Sequence, residues 1–158
     1  MFSWLAEHEV PSDALVAFAR SDDYFFGVLH SRAHEVWALL QGTQLESRPR
    51  YTPTTCFETF PFPRATQQQQ WAISLAAKDL NDLREKWLNP TEMIGAKELA
   101  KRTLTNLYNA RPTWLANAHR TLDEAVFAAY GWREQPADLS DGEIIARLLK
   151  LNFEREAV

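Results

Sequence analysis

His30 and His34 stand four residues apart, a spacing that sets both imidazoles on one face of a helix where they could meet one ligand. Metalloprotease helices carry Glu directly after the first His. Here Ser31 holds that place, and no local side chain offers a third zinc ligand. A polar or packing role is therefore the default for the pair, and no metal is expected. Cys56 is the only cysteine, which excludes an internal disulfide and a cysteine-based zinc site. As a nucleophile it would need a nearby base, and the nearest histidine in sequence, His34, is far off. Burial among Phe57–Phe60 is the expected state of this thiol. The five glycines are scattered, with no GxGxxG and no phosphate loop. Neither a Gly-x-Ser-x-Gly elbow nor an acidic pair with a following x-Lys step is present. The chain's own residues thus compose no catalytic set.

Charge gives a second lead. The chain carries 17 basic and 21 acidic side chains, a net charge of -4, which argues against strong, purely electrostatic nucleic-acid binding. The imbalance sits in residues 1–63, with 4 basic and 8 acidic groups; residues 64–158 carry 13 of each. Residues 97–120 hold Lys97, Lys101, Arg102, Arg111 and Arg120 against Glu98 alone, a local net of +4. This is the one basic region suited to a phosphate backbone, although on sequence alone a solvated helix face is its default reading. No apolar run approaches membrane-span length and the first residues show no signal-peptide pattern, so a cytoplasmic setting is expected.

The elements that would position these groups read as mixed, then helical. Phe2–Leu5 and Ala14–Ala19 have strand length, with a turn at Pro11-Ser12-Asp13. Ser21-Asp22-Asp23 suits a helix N-cap. Phe25, Val28, Leu29, Ala33, Val36 and Leu40 then describe one buried face, and Gly42 is the expected stop. Residues 44–63 look extended and loop-rich. Pro61 and Pro63 mark a boundary, dividing a unit at 1–63 from one at 64–158. Ile73, Ala76, Leu80, Leu83 and Trp87 form the seam of the next helix. Further helices are expected over 96–109, from Pro112 to Gly131, and after a Ser140-Asp141-Gly142-Glu143 capping box. The fold class expected is mainly α, of α+β character: short N-terminal strands and one helix, followed by a small helical bundle.

Several runs carry a resemblance. Arg50 to Pro63 (RYTPTTCFETFPFP) and Leu15 to Trp37 (LVAFARSDDYFFGVLHSRAHEVW) resemble the target-recognition domain of MmeI-like Type IIL restriction–modification DNA methyltransferases. Arg102–Asn109, Arg111–Leu115, Ala129–Trp132 and Leu149–Asn152 resemble the helical domain that follows it. Together these cover most of residues 2–155. The resemblance implies a DNA-binding, target-recognition fragment that orients duplex DNA so that adenine can be flipped and methylated on N6. Such a methyltransferase needs a glycine-rich cofactor turn and an Asn/Asp-Pro-Pro-aromatic loop. Neither is in this chain, where Asn89-Pro90-Thr91 is no substitute. S-adenosylmethionine is therefore expected in a catalytic domain or subunit outside this chain, and no cofactor is expected on the chain itself. The chain opens, by this resemblance, inside the recognition domain, as a truncated gene, a split subunit or a fragment would.

Within the resemblance, residues 45–51 are where base-reading side chains fall. A Glu carboxylate accepts from cytosine N4 and an Arg guanidinium donates twice to guanine. Glu46 and Arg48, two apart on extended chain, share a side and are expected to grip one C·G pair. The alternative is a surface ion pair contributing under about 1 kcal/mol. Arg50, Lys101, Arg102, Arg111 and Arg120 are assigned to phosphates. Tyr108, Trp114 and Trp132 read as core anchors. Two rival readings are an accessory specificity subunit, favoured by exposed apolar surface near Met1–Leu5, and a nonfunctional structural remnant.

Overall fold

Among the described residues, polar caps and proline punctuation mark off seven helices and one small hairpin. The structure, a computed structural model, describes residues 1–5, 8, 10–12, 15–45 and 48–156. In order these elements are α1 (Asp23–His30), α2 (Arg32–Gln41), β1 (Thr43–Leu45), β2 (Arg48–Arg50), α3 (Gln67–Leu88), α4 (Ala96–Leu99), α5 (Leu104–Ala110), α6 (Thr113–Ala129) and α7 (Asp141–Glu156). A π-helical turn covers Pro53–Phe57 and a 3-10 turn Pro136–Asp138. The mainly helical expectation holds.

The expected N-terminal strands do not form. Among the described residues the only ladder is the antiparallel pair β1–β2, with Thr43 opposite Arg50 and Leu45 opposite Arg48. A strand needs a partner for its backbone, and Phe2 finds none in a sheet. Its carbonyl instead accepts from Arg84 Nη2 at 2.9 Å, and its N–H lies 3.2 Å from His30 Nε2. Asp13 and Ala14 lie outside the described residues.

The single helix expected after Asp22 is two. Asp22 caps α1 through Phe25 N–H at 2.9 Å. Ser31, fully buried, then breaks the helix: its hydroxyl donates to Val28 O at 2.7 Å and accepts from His34 N–H at 3.4 Å. One side chain closes α1 and opens α2, because serine competes with the backbone for helical hydrogen bonds. Ser31→Ala is expected to destabilise the chain by about 1–2 kcal/mol, the range of a lost N-cap, in urea denaturation. The helix expected over 96–109 is likewise split, between α4 and α5. By contrast, Ser140 and Glu143 form the anticipated capping box, with Ser140 N–H donating to Glu143 Oε2 at 2.9 Å and Glu143 N–H to Ser140 Oγ at 3.3 Å.

The long helix α3 is the axis of the core and packs mainly against α1 and α6. Val28, Ile73, Ala77, Leu80, Leu115, Leu122, Val126, Ile144 and Leu148 are fully buried there. The core therefore draws on residues either side of position 64. Gly27 sets the α1–α3 spacing: a Cβ there would lie 2.9 Å from both Ala77 Cβ and Ile73 Cγ2. The proline-rich segment is tied down by its free carbonyls, Pro61 O accepting from Tyr130 OH at 2.9 Å and Pro63 O from Tyr24 OH at 3.2 Å. Arg32 anchors α2 to the start of α7, donating to Leu139 O at 2.9 Å and pairing with Asp141 at 2.6 Å. Among the described residues no helix is long and apolar enough to cross a membrane.

Candidate nucleic-acid interface

The hairpin β1–β2 follows directly on α2, and Gly42 between them sits close enough to Arg50 that a Cβ would lie 3.0 Å from its carbonyl oxygen. Arg48 stands on β2, its backbone paired with Leu45. Glu46 lies outside the described residues, as does the side chain of Arg48. Arg50 ends the strand, exposed.

Tyr51 then turns inward. It sits 3.1 Å from His34 Nε2, while His34 Nδ1 lies 2.9 Å from Leu29 O. A carbonyl can only accept, so Nδ1 carries the proton and Tyr51 OH donates to Nε2. Burial holds His34 at about 4, against the usual 6.5, partly offset by the bond to Leu29. His30 is pushed well below the usual range, first by burial and then by the Arg84 guanidinium. Both imidazoles are buried, with hydrogen-bond partners at Phe2, Leu29 and Tyr51. No group of three or more potential metal ligands occurs among the described residues. Cys56 is fully buried, its Sγ 3.6 Å from Ala38 O.

The predicted phosphate ligands do not converge on one place. Arg50 and Arg111 line a common cavity of about 310 Å³, with Tyr51, His34, Tyr108 and His119. Arg102 is held against α3: it donates to Trp87 O at 2.7 Å and lies 5.4 Å from the Trp87 ring centroid. Lys101 pairs with Glu98 at 3.2 Å, both exposed. Arg120, on α6, is exposed and reaches Asn117 Oδ1 at 3.4 Å. Tyr108, Trp114 and Trp132 pack against the core.

Sequence reasoning missed Arg84. It is 1% exposed, and its Nε finds no partner among the described residues. Its Nη1 lies 3.2 Å from His30 Nε2 and its guanidinium 5.8 Å from the Tyr108 centroid. Burial lowers its affinity for the proton. The signal was present: inward positions on α3 run 73, 77, 80, 84, so helical period alone points position 84 at the core. Leu83, expected on the seam, is 37% exposed instead. His119, whose Nε2 meets Tyr108 OH at 2.9 Å, was also missed.

Residues 2–64 match the family model of the MmeI target recognition domain. Over 146 residues the chain is 30% identical to DNA methyltransferase A of Bacillus subtilis (strain 168), taking in 91% of this chain and 15% of that protein. Its fold matches that of the Type IIL restriction–modification enzyme MmeI, whose structure is of a complex with DNA, at a TM-score of 0.70 and 29% identity; 87% of this chain and 17% of that one are covered. The chain thus spans under a fifth of either relative. Over the region it spans, the chain is similar to the MmeI-like Type IIL restriction–modification enzymes, and its residues 2–64 match their target recognition domain.

Proposed function

We propose that this chain is a DNA-recognition segment of a restriction–modification methyltransferase, orienting duplex DNA for methylation of adenine N6. The observation that carries this reading is the match of residues 2–64 to a target-recognition family, joined to likeness with an enzyme whose structure is of a DNA complex. Residues 1–63 would supply the reading element and residues 64–158 its helical support. Glu46 and Arg48 would read one C·G pair from the hairpin. Arg50, Lys101, Arg102, Arg111 and Arg120 would meet phosphates, Arg102 after leaving its contact with Trp87. S-adenosylmethionine would be held by the methyltransferase part rather than by these residues.

On a duplex chosen by selection, Arg48→Ala is expected to reduce discrimination at one C·G position by about ten- to hundredfold, the worth of a bidentate contact. Arg120→Ala should weaken all duplexes alike and reduce the salt slope by about one. Fluorescence anisotropy over a salt series checks both. Equal binding by Arg48→Ala and the parent chain at every base pair would remove the base-reading role.

A second reading is a specificity subunit that docks on a separate methyltransferase. Exposed Met1 (64%), Trp4 (37%) and Leu5 (48%) favour it, as apolar surface that a partner would cover. Co-purification with a methyltransferase chain separates the two readings.

A further inference from the structure

We propose that the cavity bounded by α1, α2, β2 and the α5–α6 corner binds a phosphorylated ligand of mononucleotide size, its phosphate taken by Arg111 and Arg50. The two arginines are the first observation. Both line the cavity, and neither side chain makes a hydrogen bond or ion pair with another described residue. Arg111 is also the one described non-glycine residue with left-handed backbone, at φ 39. It is the C-cap of α5, its N–H donating to Leu107 O at 2.8 Å, and this left-handed helix end places it at the corner where α5 gives way to α6.

The second observation is the field behind the lining. The buried Arg84 guanidinium has no carboxylate partner among the described residues and touches His30, which lines the cavity. His119 is held at about 4, first by burial and then by the positive charges of Arg111 and Arg84. The imidazoles are therefore neutral and the cavity wall is positive around them, against Glu35 on α2 and Asp123 on α6. Arg50 and Arg111 are themselves exposed, and the buried Arg84 charge behind the lining, without a carboxylate among the described residues, adds to a field that favours an anion.

The third observation concerns shape. About 310 Å³ exceeds what a bare phosphate fills and falls at the low end for small-molecule pockets. Phe2 packs edge-on to Tyr51 and His30, with centroids 5.7 and 5.6 Å away, which gives an aromatic wall for a planar base. Glu35, also on the lining, offers a carboxylate to base N–H groups such as those of guanine. A paired duplex cannot enter such a cavity; a free nucleotide or an unpaired one in DNA can. The inference shares with the proposed function only the assignment of Arg50 and Arg111 to phosphate.

The test is titration of the full chain with GMP, guanosine and inorganic phosphate, followed through the imidazole resonances of His30 and His119. GMP is expected to shift both and saturate, with guanosine about tenfold weaker or more. Arg111→Gly suits the left-handed backbone, so the fold is kept while GMP binding falls about ten- to hundredfold, as for a lost charged hydrogen bond. A duplex with one unpaired guanosine nucleotide that competes with GMP would assign the ligand to DNA; absence of competition, with GMP still binding, would assign it to free nucleotide. The proposal is overturned if millimolar GMP leaves the resonances unmoved, or if Arg111→Gly and Arg50→Ala both bind GMP like the parent chain. Binding of fully paired duplex is untouched by that failure, so the two readings fall separately.

Discussion

Gly27→Val is expected to destabilise the chain by about 3 kcal/mol, the upper end of the cost of overpacking a core. Even the first added carbon meets Ala77 Cβ and Ile73 Cγ2 at 2.9 Å and Leu122 Cδ1 at 3.2 Å. The neighbours cannot yield cheaply, because Ile73, Ala77 and Leu122 are themselves fully buried between α3 and α6. Ala77→Gly in the same chain should restore part of the loss, since it removes one of the two closest atoms. Contacting residues of this kind couple by about 0.5–3 kcal/mol in a double-mutant cycle. Urea denaturation of the four chains measures both quantities. A cost below about 1 kcal/mol for Gly27→Val would mean that α1 is not seated against α3 at this distance. The effect extends along the chain, because α1 leads through Ser31 and α2 into the hairpin, so a displaced α1 is expected to move β1–β2.

Acid should unfold the chain earlier than its carboxylates alone would require. His34 and His119 are held at about 4 in the folded chain, against the usual 6.5, mainly by burial. The unfolded chain therefore binds more protons between these values, and stability falls as pH falls through 6.5 towards 4. For His34, which is 1% exposed, the difference amounts to about 3 kcal/mol over the full window. His30 acts in the same direction.

Asp123 opposes this trend. Burial raises it to about 7, although its Oδ1 accepts from Arg32 N–H at 2.7 Å. Here the folded chain binds more protons, so its contribution is full below the ordinary carboxylate range and is lost as pH rises towards 7. Asp123→Asn should consequently show a steeper loss of stability from pH 7 to pH 5 than the parent, and His34→Gln a shallower one. Denaturation midpoints at the two pH values decide the matter. Equal slopes in all three chains would show that these buried groups titrate as they do in water.

Local chemistry was readable where a single side chain decides the outcome. The Ser140–Glu143 box, the Asp22 cap and the stop at Gly42 each depend on a few adjacent residues, and each stands where the sequence indicates it. The helix break at Ser31 was not readable, because the apolar period runs through it in phase and only burial of the hydroxyl reveals its double role. Phe2–Leu5 was misread as a strand for a different reason. Strand propensity describes a surface awaiting a partner, and the partner here is an Arg84–His30 pair drawn from two helices. The cavity was hidden from sequence for the same cause: its walls come from positions as distant as 2, 51 and 119. Arg84 shows the opposite case: helical phase on α3 points position 84 inward, although arginine is usually exposed.

The central claim, that this chain reads duplex DNA, is tested most directly by affinity selection from random duplexes. The purified chain would be used alone, and again with cell extract and S-adenosylmethionine. The account predicts enrichment of a short motif, with preference at one C·G position lost in Arg48→Ala. A folded chain that enriches no motif under either condition would contradict it.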